Sequence, residues 1–295
     1  MSTALLRQSR RDALRGLALT AAGAFALPAA FAAGKPQPRL ITISGAITEV
    51  AYALGAENQI VATDTTSLFP AAAQKTPKVG YMRQLSAEGL LSMKPDAVIA
   101  TTESGPPVVL DQLRSAGVKL ELIEADHTWG EVQRKVQAVG RASAREAQAQ
   151  DLQRQLDAQW AEVQQRVATD MTGKRKPRVL FVLSHSASPQ VSGEKTAANA
   201  VIGFAGGANC LSGFSGYRPM TAEAMASAAP DVILTSSQSI EAHGGVERFW
   251  QRPELALTPA YARRSLIAMD ALLLLGFGPR LPDAVDALHR KLLAA

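Results

Sequence analysis

A sixteen-residue segment occurs twice in this chain. Leu85-Ser-Ala-Glu-Gly-Leu-Leu-Ser-Met-Lys-Pro-Asp-Ala-Val-Ile-Ala100 returns 135 residues later as Met220-Thr-Ala-Glu-Ala-Met-Ala-Ser-Ala-Ala-Pro-Asp-Val-Ile-Leu-Thr235. Ala87/Ala222, Glu88/Glu223, Ser92/Ser227, Pro95/Pro230 and Asp96/Asp231 are identical. Each copy spells one unit: a Ser or Thr cap opening a short helix, a Pro-Asp turn, and a β-branched apolar run suited to a buried strand. Upstream, Arg83 aligns with Arg218, and a Gly-Tyr pair stands just before each arginine. One unit used twice implies two similar α/β lobes, and two lobes imply a cleft between them.

The first 32 residues read as a cleaved export signal. Arg7, Arg10, Arg11 and Arg15 form a basic start, an Ala/Leu-rich stretch follows from about Gly16, and Ala30-Phe31-Ala32 offers a small-x-small cleavage site. Ser9-Arg10-Arg11-Asp12-Ala13-Leu14 resembles a twin-arginine signal but has Ala13 where a larger apolar residue is usual, so Sec export stays open. No cysteine lies near the cleavage site, so lipid anchoring there is not expected. The formal charge of +5 includes +3 from this leader, which leaves +2 beyond it. That balance, with no basic stripe interleaved with aromatics, argues against a nucleic-acid partner. Lys174-Arg175-Lys176 reads as a short solvated linker. Cys210 is the single cysteine, which rules out an internal disulfide and cysteine-rich metal sites. Beyond the leader no apolar run is long enough for a membrane span.

The rest of the chain alternates strands with helices, the pattern of a parallel α/β sheet. Strands are expected at 39–44, 59–63, 96–101 and 119–123, with helices over 48–54 and from Pro106-Pro107 to Leu113. Then the period changes. Thr128-Trp-Gly-Glu131 fits a capping box, followed by Val132, Val136 and Val139 at helical spacing. Leu152, Leu156, Trp160, Val163 and Val167 mark one apolar stripe, and no proline occurs between Pro107 and Pro177. A helix of about 30 residues there would be about 45 Å long, enough to reach from one lobe to the other. Arg178–Ser184 opens a second sheet, with a helix near 196–204, strands at Asp231 and Leu266, and a terminal helix from Pro282. The expected fold is therefore α/β: two similar three-layer lobes with parallel-type sheets, joined by a single long backbone α-helix, with a ligand cleft between them. The divisions are 1–32 for the signal, 36–140 for the first lobe, 141–173 for the connecting helix and 177–295 for the second lobe. A packed helical connector resists bending, so small lobe motions are expected.

Three segments resemble the haem-binding members of a known family, the periplasmic binding proteins of the helical-backbone class that serve ABC importers of haem, cobalamin and ferric siderophores. These are Val79-Gly-Tyr-Met-Arg-Gln-Leu-Ser-Ala-Glu-Gly89, Leu183-Ser-His-Ser186 and Met269-Asp-Ala-Leu-Leu-Leu-Leu-Gly-Phe-Gly-Pro279. The resemblance implies capture of ferric haem as cargo, one or two molecules, and delivery to an inner-membrane haem ABC permease dimer with its ATPase. It also implies a periplasmic location and a monomer.

On that resemblance Tyr81 and His185 are the expected ligands of the haem iron. Fe(III) is a hard acid that favours an oxygen anion, and tyrosine is an attested haem ligand. An ordinary phenol is protonated at neutral pH; Arg83, two residues on, is placed to favour the phenolate by a charge-assisted hydrogen bond, on the assumption of an extended segment in which i and i+2 share a side. His185 ends the expected first strand of the second lobe, where ligands of open α/β sheets gather. Met82, Tyr217 and Arg218 are expected as pocket support, while His127, His243 and His289 carry no motif and read as structural. Glu88 and Glu223 are expected to dock on arginines of the permease, one per lobe; each also complements the positive end of its own helix.

No nucleophile elbow, HExxH, P-loop or dinucleotide fingerprint is present, and Gly213-Phe214-Ser215-Gly216 lacks the elbow's spacing. Binding rather than catalysis is expected. The alternatives are a cobalamin or ferric-siderophore carrier and a periplasmic haem-handling enzyme.

Overall fold

A computed structural model describes residues 37–183, 189–219 and 221–295. The expected signal, His185 and Met220 lie outside the described residues.

The first lobe is built on four parallel strands, β1 (Leu40–Thr42), β2 (Ile60–Thr63), β3 (Ala97–Thr101) and β4 (Lys119–Ile123), in the order β2-β1-β3-β4. Helices α1 (Gly45–Ala53), α2 (Ala87–Ser92), α3 (Pro107–Ser115) and α4 (Trp129–Ala142) cover it. The long helix α5 (Glu146–Asp170) links the lobes; its 25 residues span about 37 Å, somewhat less than the stripe suggested.

The second sheet is mixed. Strands β5 (Arg178–Leu183), β9 (Val232–Ser236) and β10 (Leu266–Met269) run parallel, and β7 (Ala208–Asn209) adds to the start of β5. Two short strands, β6 (Gln190–Ser192) and β8 (Tyr217–Pro219), pair antiparallel at the other end of β5. Helices α6 (Ala197–Phe204), α7 (Ala222–Ala228), α8 (Ser237–Ala242), α9 (Val246–Trp250), α10 (Pro259–Arg263), α11 (Ala271–Leu275) and α12 (Leu281–Ala294) complete the lobe.

The duplication is reproduced in the caps, turns and clasps of its framework. Ser86 Oγ accepts from Gly89 N at 3.4 Å, and Thr221 Oγ1 accepts from Ala224 N at 3.2 Å, so each copy opens with a side-chain cap. Lys94 (φ 48°) and Ala229 (φ 42°) occupy equivalent left-handed positions before the Pro-Asp turn. Asp96 then accepts the backbone N–H of Arg39 at 2.8 Å, and Asp231 that of Arg178 at 2.9 Å. Both arginines reach back to carbonyls at the end of their short helix, Met93 in one copy and Ala228 in the other.

One hydrophobic core runs through both lobes. It contains Ile47 and Val50 of α1, Val132, Val136 and Val139 of α4, Leu156, Val163 and Val167 of α5, Val201 and Ile202 of α6, and Val285 and Leu288 of α12. Trp129 stacks on Trp160 at 4.8 Å, and Phe204 meets Trp160 edge-on at 5.0 Å. This ladder steps from α4 through α5 to α6. Each fully buried aliphatic side chain contributes about 1.5–3 kcal/mol, so the lobes are tied by a core rather than by a hinge. Smaller clusters sit on the outer face of each sheet.

The capping box is not formed as expected. Thr128 Oγ1 donates to Asp126 Oδ1 at 2.7 Å instead of capping α4, while Glu131 accepts from the N–H of His127, one residue before the cap. Arg175 leaves the linker to pair with Asp231 at 2.7 Å.

Candidate functional site

The carboxyl ends of the two sheets face a cleft of about 710 Å³, the size range of small-molecule sites. Its apolar lining comes from Leu68 and Met82 of the first lobe and Leu183, Leu272 and Leu275 of the second. Tyr81 and Arg83 enter from one side and Tyr217 from the other.

Tyr81 is 38 % exposed. Arg83 Nη1 donates to Tyr81 Oη at 2.7 Å, and Arg83 Nη2 binds Glu103 Oε2 at 2.9 Å. Burial alone would lower the Arg83 pKa, but Tyr81 and Glu103 outweigh it and hold the guanidinium above its ordinary value. The phenol oxygen therefore faces a fixed positive charge. The pair is brought together by a tight turn rather than an extended segment, since Gln84 N donates to Tyr81 O at 2.8 Å. Gly80, at φ 104°, admits the chain into that turn, a conformation that side chains rarely adopt.

Tyr217 is chemically different. Desolvation of its hydroxyl, with a further push from Glu103 across the cleft, raises its phenol to about 12, so it stays protonated. In β8 its neighbour Arg218 points to the other side and lies over the Phe214 ring at 4.4 Å, away from the cleft lining. The missing residue between Tyr217 and Arg218, relative to Tyr81-Met82-Arg83, is the cause. Met82 both lines the cleft and is 7 % exposed within the outer cluster of the first lobe. Glu88 and Glu223 stand exposed in the first turns of α2 and α7, on equivalent positions of the two lobes.

Below the tyrosines the cleft floor is charged. Lys135, buried on α4, binds Glu131 at 2.6 Å and the carbonyls of Gly276 and Phe277 at 3.0 Å each. All three ammonium donors are used. Burial holds the Lys135 pKa below its ordinary value, against the pull of Glu131. Farther out, Arg280 clasps Glu49 of α1 through Nε and Nη2 at 2.7 and 2.6 Å and covers the Phe69 ring at 3.8 Å. Between these struts Phe277 is buried against His127, and a Cβ at Gly278 would crowd Ala46 at 3.2 Å. The Gly276–Arg280 corner is thus seated in the first lobe.

Sequence reasoning passed over Glu103, Lys135 and Lys195, and read His127 only as structural and Glu131 only as part of a cap; all five line the cleft. Glu131 and Lys135 at i and i+4 look like a solvated helix pair; only their place beside the Val132/Val136 stripe hinted at burial. His243 bonds Ser239 O at 2.7 Å and His289 bonds Ala205 O at 2.9 Å, both in structural roles away from the cleft lining. Burial pushes the Cys210 thiol up to about 12, so it stays protonated near neutral pH.

Two α/β lobes on a helical backbone, with a cleft at the strand ends, define a solute-binding protein. The chain belongs to the periplasmic binding protein family, which matches residues 40–272. It is similar in structure to the periplasmic haem-binding protein BhuT in complex with two haems, at 43% identity and a TM-score of 0.82 over 86% of this chain and 97% of that one. The periplasmic haem-binding protein RhuT from Roseiflexus sp. RS-1 is 35% identical with a TM-score of 0.81, covering 87% and 98%. The vitamin B12-binding protein of Vibrio cholerae serotype O1 is 27% identical over 89% of this chain and 91% of its own. Family and fold are those of solute-binding proteins rather than enzymes. Among the described residues no helix is long and apolar enough to cross a membrane.

Proposed function

We propose that this protein captures ferric haem in the inter-lobe cleft and hands it to an inner-membrane ABC permease dimer with its ATPase. The observation that carries this reading is the Tyr81 hydroxyl, open to the cleft and held at 2.7 Å by Arg83. Its oxygen accepts from that guanidinium and still faces the cleft, and a tyrosine oxygen is the hard donor that Fe(III) prefers. Glu103 fixes the guanidinium, so the donor is oriented before cargo arrives. Apolar side chains on both walls suit a porphyrin face.

In this reading Tyr81 ligates the iron, with His185 of the second lobe as the second ligand. Arg83, Met82 and Tyr217 support the pocket, and one or two haems occupy it; Arg218, turned onto Phe214, takes no part in it. Docking uses Glu88 and Glu223, whose equivalent exposed positions suit a permease of two identical subunits. Export by the N-terminal signal places the protein in the periplasm.

A titration of the leaderless protein with ferric haem, followed by visible absorbance, tests the assignment. The expected result is saturable binding with a tyrosinate-ligated high-spin spectrum that Tyr81→Phe abolishes. Saturable binding of aquocobalamin, with no haem spectrum, would favour the second reading, which the similarity to vitamin B12-binding proteins supports.

A further inference from the structure

Five charged side chains line the cleft: Arg83, Glu103, Glu131, Lys135 and Lys195. Four of them cancel in pairs, Arg83 with Glu103 at 2.9 Å and Lys135 with Glu131 at 2.6 Å. Lys195 remains, with no hydrogen-bond or ion-pair partner among the described residues.

Its place is built. Lys195 has φ 55°, a left-handed conformation that is strained for a residue with a Cβ. The turn is clamped on both sides: Gly193 N donates to Gly216 O and Glu194 N to Phe214 O, each at 2.8 Å, and Thr196 Oγ1 donates to Gly193 O at 3.0 Å. Glu194, the nearest acid in sequence, turns its carboxylate onto Gly213 N at 3.1 Å and so leaves its neighbour alone. Strain that the surroundings enforce in a binding cleft is a pointer to function.

We infer that Lys195 is the counter-charge for a carboxylate on the rim of the cargo, so that the cleft selects an anionic tetrapyrrole over an uncharged or amide-decorated one. The inference rests on the haem reading. A ferric porphyrin core carries one positive charge, which the Tyr81 phenolate neutralises, and its peripheral carboxylates remain negative. Arg83 is already engaged by Tyr81 and Glu103 and Lys135 by Glu131 and two carbonyls, whereas the three donors of Lys195 have no partner among the described residues.

The test compares ferric haem with its dimethyl ester, which has the same ring and iron but no carboxylate. Wild type is expected to bind the free acid about twofold to fivefold more tightly than the ester, the range of one partly exposed ion pair. Lys195→Gln should remove that preference by weakening haem alone, and Lys195→Arg should restore it. The preference should also shrink as salt is raised. Equal affinity of wild type for acid and ester, or an equal loss of both in Lys195→Gln, overturns the assignment. If wild type binds neither compound, the haem reading itself falls and this inference falls with it; if it binds both and only the preference is missing, the haem reading survives alone.

Discussion

The two lobes begin from the same unit and end with different chemistry. Ser86 and Thr221 cap the same helix, and Asp96 and Asp231 clasp Arg39 and Arg178 in the same way. Around the shared unit, the copies part where the chain turns toward the cleft. In the first lobe one extra residue between tyrosine and arginine lets a tight turn set them together, leaving an exposed phenol against a cation. In the second, adjacency within β8 sends Tyr217 into the cleft and Arg218 away from it. Duplication thus conserved what holds each lobe together and freed what each presents to a ligand. A single inserted residue is enough because strand side chains alternate, so adjacent residues cannot share a face.

That comparison can be tested at four points. The largest effect is expected where the lobes stop being separate. Lys135→Met strands Glu131 without its partner in a buried site, and loss of one member of a buried pair costs about 3–5 kcal/mol. Urea unfolding should show that loss, together with a transition that is no longer single if the struts couple the lobes. A change below about 1 kcal/mol would mean that the core alone joins them.

Next in size is the contrast between tyrosines. Tyr81→Phe should weaken ferric haem by about 100-fold, the upper range for loss of a metal-site group. Tyr217→Phe, which removes only a protonated phenol, should change affinity by less than about tenfold, roughly one neutral hydrogen bond. Equal losses in side-by-side titrations would erase the division of labour between the lobes.

A smaller effect separates the two framework aspartates. Asp231 is held down to about 2, chiefly by Arg175 and with help from the Arg178 backbone and Arg263. A carboxylate whose folded pKa lies below its ordinary 3.8 stabilises the protein fully above that value and loses its contribution as the pH falls toward 2. Thermal unfolding of Asp231→Asn should therefore cost about 1–2 kcal/mol near neutral pH, with the difference from wild type vanishing through the acid range. An unchanged difference at low pH would assign the loss to backbone hydrogen bonding instead.

The smallest effect on the isolated protein is expected at the docking carboxylates. Glu88→Ala and Glu223→Ala should each alter stability by no more than about 1 kcal/mol and leave haem affinity unchanged. Each should nonetheless reduce haem transfer to permease-containing vesicles. Full transfer by both variants would remove the reason for keeping equivalent acids on the two lobes.

Much of the architecture was readable along the chain because it depends on near neighbours. The strands at 60–63 and 97–101 fell where β-branched runs end in turns, and the helix after Thr196 begins at its cap. Where an element depends on distant partners, the reading thinned. β6 and β8 are three residues each, too short to carry a period, and they exist because each pairs with a strand already in place. Of the site, Tyr81 and Arg83 were legible as a motif, although the assumed extended geometry was wrong. The segment Gly276-Phe-Gly-Pro-Arg280 was legible as a pattern, while its work as an interlobe corner was not.

By itself, then, the sequence determined the repeated unit, the helix caps, the order of most strands and helices, and the tyrosine-arginine pair, because each is written in residues a few positions apart. Only the tertiary structure decided that Lys135 would be buried against carbonyls 141 and 142 residues away, that Arg280 would close on Glu49 across 231 residues, and that Lys195 would face the cleft without a partner among the described residues. Those outcomes depend on which surfaces meet when two lobes share one core, and no local pattern in the chain records such a meeting.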